Sequence, residues 1–142
     1  MKMNGMKNLL ALVMLTGIIT SCSKNKVEGQ LLSKWKLIEQ LADPGDGSGV
    51  FTPVDSDKTI EFLCNGDFVS NGPLCTMSTE TGSVGKGKFD ASAKIIVPDN
   101  CNSPEYQIAY SINDSVLILY YPCIEGCGQK FRLIEGAIRQ QE

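Results

Sequence analysis

The sequence predicts an all-β protein, an eight-stranded antiparallel up-and-down barrel. Beyond residue 30, no helical period persists for more than a turn or two. Short runs of β-branched and aromatic residues alternate apolar with polar positions instead, and Gly, Pro, Asn and Asp clusters separate them. There are eight such runs, mostly joined by short connections. Sequential antiparallel strands remove their aggregating edges by closing on themselves, and eight strands enclose a space just filled by side chains or just wide enough for one small ligand. An open sandwich is the alternative, and the near-uniform hairpin links favour the barrel.

The first run, Leu32 to Leu41, sets Trp35, Leu37 and Leu41 on one face. A long loop follows over 42–56. Lys58 to Leu63 alternates with Ile60 and Phe62 inward, and Asp67 to Ser70 follows with Phe68 inward. The link Cys64-Asn65-Gly66 places Phe62 opposite Phe68, with Gly66 in the left-handed position of a bulged type I turn. Next come Thr81 to Asp90 (Gly85, Gly87 and Phe89 on one face) and Lys94 to Pro98. Tyr106 to Ile112 alternates strictly, and Asn113-Asp114 turns the chain into the nearly all-apolar run Ser115 to Tyr121. Gln129 to Ile134 completes the set with Phe131 and Leu133 inward. Gly85 and Gly87 lack side chains on one face, which leaves room either for bulky residues opposite or for a ligand.

The N-terminus has a different character. Lys2 and Lys7 precede an apolar stretch from Leu9 to Thr20. That stretch is too short to span a membrane, which takes roughly 20 apolar residues. It ends in Ile19-Thr20-Ser21-Cys22. The layout resembles a bacterial lipoprotein signal with its lipobox. The resemblance implies cleavage before Cys22, a diacylglycerol on its thiol and further acylation such as palmitate, enough chains for stable anchoring. Ser23 is not Asp, which by the same resemblance favours the outer membrane, and the lack of an acidic cluster after Cys22 favours its periplasmic face. An ordinary secretory signal is the alternative. The expected organisation is a signal peptide over 1–21, a lipidated tether over 22–29, a barrel domain over 30–136 and a tail over 137–142.

Removing Lys2 and Lys7 with the signal takes the formal net charge from −3 to −5. A mildly acidic chain without a basic patch has no footprint for nucleic acid. Histidine is absent. That removes the commonest general base, the Ser-His-Asp and Cys-His arrangements and most catalytic zinc sites, so a non-enzyme without cofactor or metal is expected.

Leu32-Ser33-Lys34-Trp35-Lys36-Leu37, Ile60-x-Phe62 with Asn65-Gly66-Asp67-Phe68, Gly85-x-Gly87-x-Phe89, Leu117-x-Leu119 and Lys130-Phe131-Arg132 together resemble the small lipocalin-like lipoproteins of Gram-negative bacteria. Lipocalins open their first strand with G-x-W and pack a late arginine over that tryptophan. Trp35 matches, Ser33 stands in place of the glycine, and Arg132 is the corresponding partner through a cation–π contact at the barrel end. The resemblance implies a lipocalin-like barrel and small-ligand binding.

Five cysteines follow Cys22. An oxidising compartment would bridge them. The pairing expected is Cys75 with Cys101 and Cys123 with Cys127, leaving Cys64 unpaired at a hairpin tip. Cys64 with Cys75, leaving Cys101 free, is the second choice. The C-x-x-x-C could instead bind copper(I) or zinc, or do redox work, but no further ligand lies near it and it lacks thioredoxin spacing. The Asp43–Gly49 loop reads as a flexible turn, since Pro44 interrupts any calcium pattern. Asp55 with Asp57 and Glu61 with Glu80 read as solvated carboxylates rather than an acid pair across a cleft.

Tyr106, Tyr110, Tyr120 and Tyr121 gather in two adjacent runs. Tyr106, Tyr110 and Tyr120, with Phe89, are the expected ligand-binding side chains, their hydroxyls orienting a polar end. The expected function is non-enzymatic binding of a small apolar or amphipathic molecule by a monomeric, membrane-anchored barrel. The alternative is a filled barrel whose loops, 42–56 and 71–80, bind an envelope protein or glycan.

Overall fold

A computed structural model describes residues 31–136; the signal segment, Cys22, the tether and the tail over 137–142 lie outside the described residues. Nine strands form: β1 Leu31–Ala42, β2 Thr52–Pro53, β3 Thr59–Leu63, β4 Asp67–Ser70, β5 Gly85–Asp90, β6 Ile95–Pro98, β7 Ile108–Asn113, β8 Val116–Tyr120 and β9 Cys127–Gly136. Each pairs antiparallel with its neighbour in the order β2-β1-β3-β4-β5-β6-β7-β8-β9, and β1 also pairs with β9. The result is a closed eight-stranded barrel in which the predicted runs follow one another in chain order. β2 is the addition. Its two residues pair with Glu39 and Gln40, extending the wall beside the second half of β1.

Period-two patterning fixes the inside. Trp35 and Leu37 of β1, Ile60 and Phe62 of β3, Phe68 of β4, Ile96 of β6, Ile108 and Tyr110 of β7, Leu117 and Leu119 of β8 and Phe131 of β9 are all buried in one cluster. Trp35 sits opposite Ile60 on one side and Leu133 on the other, so it is held in the middle of the seam that closes the barrel. Its indole N–H donates to Ser33 Oγ at 2.9 Å, which satisfies the one polar atom that burial would otherwise strand. Register shifts within the β1–β9 pairing add the bends a long strand needs to follow a small barrel.

The two glycines of β5 are explained by bulky neighbours. Gly87 stands opposite Phe68, and a Cβ there would collide with the Val97 carbonyl and meet the Phe68 ring at 2.7 Å. A Cβ on Gly85 would meet the Gly72 carbonyl at 3.0 Å, with Ser70 and Leu74 close behind. The side chains missing from β5 make room for neighbouring backbone and for the protein's own core.

The barrel has two unlike ends. At one, the hairpin end, 64–66, 91–94 and 114–115 turn tightly. Gly66 adopts φ 87° and its amide donates to the Leu63 carbonyl at 3.1 Å, as the turn chemistry requires. Lys94 and Asp114 also take positive φ there. Leu31 and Gly136 lie at this same end, where β1 begins and β9 finishes. At the other, the loop end, the chain runs through 43–58, 71–84, 99–107 and 121–126. The strands beside these loops start late. β5 begins at Gly85 rather than Thr81 and β7 at Ile108 rather than Tyr106, because the preceding residues belong to loops packed over the opening.

Candidate functional site at the loop end

The alternation of β3 runs one inward position, two residues, further back than Ile60. Ile60 and Phe62 point inward, so Lys58 does too, and its side chain is 0% exposed. Its ammonium makes three hydrogen bonds. It donates to the Pro73 carbonyl at 2.7 Å, the Ser78 carbonyl at 2.7 Å and Gln129 Oε1 at 3.1 Å. No carboxylate among the described residues pairs with it. Taking a charge out of water against dipoles alone is costly. That burial lowers the Lys58 pKa from 10.5 to about 8.

Gln129 sits inward by the same logic, two residues before Phe131, and is also 0% exposed. Its amide is fully engaged. Nε2 donates to Ser78 O at 3.0 Å and to Gln40 Oε1 at 3.1 Å, while Oε1 accepts from Lys58 and from the Tyr121 hydroxyl at 2.8 Å. Burial, reinforced by the neighbouring Tyr106, raises the Tyr121 pKa well above the ordinary phenol value and keeps the hydroxyl a donor.

The oxygens that meet Lys58 come from a discrete element. Residues 71–82 leave β4 and return beside their starting point, where the Gly82 amide donates to the Asn71 carbonyl at 2.9 Å. Ends this close around a compact segment define an Ω-loop. The loop folds over the barrel mouth and inserts Leu74, 2% exposed, into the core. Ser56 Oγ donates to the Thr79 carbonyl at 2.6 Å, and Cys75 is bridged to Cys101 in the 99–107 loop. Gly72 and Gly82 flank the inserted part; Gly82 has φ +100° and Gly72 passes too close to the Glu80 carbonyl for any side chain.

The expected ligand-binding residues do not share one site. Phe89 and Tyr110 flank Phe62 at the hairpin end, with ring centroids 4.8 Å and 5.7 Å from it. Burial, with the nearby Asp90 charge, raises the Tyr110 pKa. Tyr106 is half-buried, packs against the core and lies beside Tyr121, near the mouth. Tyr120 points outward, 45% exposed, its hydroxyl 3.2 Å from Ser111 Oγ. Consecutive residues of a strand face opposite sides, so Tyr120 and Tyr121 cannot both point in, and Tyr121 is the inward one.

Arg132 likewise departs from its expected place. It follows inward-facing Phe131, lies exposed on the outer wall and does not reach Trp35, whose neighbour from β9 is Leu133. The cation over a ring is Lys130, 4.5 Å from the centroid of Phe51, and Lys130 also pairs with Glu39.

Both expected disulfides are present, Cys75–Cys101 with Cα atoms 5.3 Å apart and Cys123–Cys127 with 6.1 Å. Cys64 is not the free thiol expected; it is disulfide-bonded. That expectation came from setting Cys22 aside as lipidated, which leaves an odd number of sulfurs. The Asp43 loop is organised rather than loose. Asp43 Oδ1 accepts from the amides of Gly45, Asp46 and Gly47 and Oδ2 from Gly49, which lowers its pKa. No group of three or more metal-ligating side chains occurs among the described residues.

Lys58, Gln129 and the Ω-loop were not recognised as a unit from sequence. The signal for the two side chains was present, since Lys58-x-Ile60-x-Phe62 and Gln129-x-Phe131-x-Leu133 each place a polar residue in register with an inward pair. Comparison with protein-family models, curated proteins and solved structures finds no match to this chain.

Proposed function

We propose that this chain is a lipid-anchored protein of the bacterial cell envelope, of the lipocalin-like kind, whose barrel binds a small apolar or amphipathic molecule at its loop end. The closed barrel is compatible with a ligand-binding scaffold. The observation that carries the reading is that the mouth is closed by an Ω-loop and not by the strands. Leu74 and the two carbonyls that meet Lys58 fill the opening with groups that belong to one loop. A ligand would enter by displacing that loop, gaining about 25 cal/mol for each Å² of apolar surface it buries.

The test uses N-phenyl-1-naphthylamine with the purified mature protein. Saturable uptake of one probe per chain, strengthened when Cys75 and Cys101 are both replaced by Ser, is expected. No uptake by either protein overturns the reading. The anchor is tested by non-reducing intact mass of protein extracted from membranes. A chain starting at Cys22 and carrying a diacylglyceryl group supports it and requires the Cys64 bridge to run to a sulfur other than Cys22; Cys22 found in a disulfide ends it, since a thioether and a disulfide exclude each other at one sulfur.

A second reading has its own observation. Large side chains of the protein itself, Trp35, Phe68 and Phe131 among them, fill the interior. A filled barrel would serve as a scaffold, with an envelope protein or glycan bound by loop tips such as exposed Val50 and fully exposed Ile124. Ile124→Asp would then abolish capture of the partner from solubilised membranes while leaving probe uptake unchanged.

A further inference from the structure

Lys58 is a fully buried cation, and besides Gln129 it faces two carbonyl oxygens of one loop, each 2.7 Å from its nitrogen. Between those carbonyls in the chain, Leu74 drives an alkyl group into the core. The loop therefore presents two oxygens to an ammonium and a greasy side chain to the apolar space beneath. A long-chain carboxylate would present the same groups and would bring a negative charge to an ammonium with which no carboxylate among the described residues pairs.

We infer that Lys58, with Gln129 beside it, is the seat for the carboxylate of an amphipathic ligand whose oxygens replace the carbonyls of Pro73 and Ser78 and whose chain replaces Leu74. The inference rests on the mouth-binding reading and names its ligand class. Lys58 is the positive partner. Gln129 Nε2, which donates to Ser78 O at 3.0 Å, becomes a second donor once that carbonyl leaves. The Tyr121 hydroxyl donates to Gln129 Oε1 at 2.8 Å and so fixes which way the amide points. Tyr121 is thus a positioning residue and Lys58 the binding one. One backbone hydrogen bond, Gly82 to Asn71, closes the neck, with Gly72 and Gly82 on either side, and lifting the loop also gives up the bond from Ser56 Oγ to the Thr79 carbonyl. The Cys75–Cys101 bridge limits how far it travels.

The experiment compares laurate with dodecanol, equal in chain length and different in charge, by calorimetric titration of the purified mature protein below the ligands' aggregation concentrations. Wild type is expected to bind laurate at least tenfold more tightly than dodecanol. In Lys58→Met that preference disappears while dodecanol affinity holds. Equal preference in wild type and Lys58→Met overturns the assignment of Lys58 and leaves mouth binding intact. Failure of both ligands to bind, also in the Cys75→Ser/Cys101→Ser protein, overturns mouth binding and this inference together. Should Lys58→Met not fold, amide hydrogen exchange on wild type decides. Laurate must speed exchange over 73–80, and tight laurate binding with no change there places the seat elsewhere.

Discussion

The two ends of the barrel are closed by different physics. At the hairpin end, short turns and aromatic packing do the work. Phe62 lies between Phe89 and Tyr110, and the polar demand is small. At the loop end, a buried ammonium, a buried amide and a phenol are satisfied by one another and by carbonyls of an Ω-loop. No buried side-chain nitrogen or oxygen among the described residues lacks a partner. A closure made of apolar contacts between strands is part of the global fold. A closure made of hydrogen bonds to one loop depends on where that loop lies and can open without unfolding the wall.

The sharpest break of this contrast is Phe62→Ala. Truncating a large buried aromatic costs about 3–5 kcal/mol. Denaturant unfolding should show that loss as a global destabilisation, with exchange accelerated throughout the barrel. An effect confined to the hairpin end would contradict the picture.

Opening the Cys75–Cys101 bridge comes next. It closes a separation of 26 residues, worth about 3.5 kcal/mol in the chain-entropy model. The Cys75→Ser/Cys101→Ser protein should lose up to that amount in global stability. It should also show faster exchange over 71–82 than over 59–70, the local signature that Phe62→Ala lacks.

Lys58 supplies a pH test of intermediate size. Its folded pKa is about 8 against 10.5 unfolded. Between those values the unfolded chain binds more protons, so stability rises with pH across the window. Below about 8 both states carry the proton and the full penalty persists. The rise should reach about 2 kcal/mol by pH 9.5, since each unit of difference is worth about 1.4 kcal/mol. Above pH 10 the raised pKa values of Tyr110 and Tyr121 act in the opposite sense, because unfolded tyrosines ionise first. Thermal melts of wild type and Lys58→Met from pH 7.5 to 9.5 check this, and parallel curves would refute it. Lys58→Met leaves only the Pro73 carbonyl without its donor, because Ser78 O keeps Gln129 and Gln129 Oε1 keeps Tyr121.

The smallest effects separate adjacent tyrosines. Tyr121→Phe removes a buried donor and should cost about 1 kcal/mol. Tyr120→Phe, on the outer wall, should stay within about 0.5 kcal/mol. Chemical denaturation of the pair measures the difference, and a reversed order would reverse their assignment to the inner and outer faces.

Much of the wall was legible in the sequence because alternation is a local property. Phe62 facing Phe68, Gly66 in its turn, and the inward alternation of Ile108 and Tyr110 all follow from period two and from turn chemistry. The Cys75–Cys101 and Cys123–Cys127 bridges were readable from loop placement. The site was less legible because attention to apolar residues passes over polar ones sharing their face. Lys58 and Gln129 lie in perfect alternation with the core and were missed for that reason. Tyr120 was misplaced by counting aromatics without counting parity. The Ω-loop has no repeating pattern, so its shape follows from what it meets, the Lys58 ammonium and the Leu74 pocket, and nothing within 71–82 announces that.

Leu31 enters the barrel among the tight turns, opposite the Ω-loop. A cylinder suspended by a leash on that side hangs with its flap outermost. On the proposed anchoring, the flap would sample the aqueous compartment and not the bilayer that holds the protein. Cargo would then be met from solution or handed over by another carrier, and a molecule drawn directly from the supporting leaflet would have to travel the height of the barrel to reach Lys58.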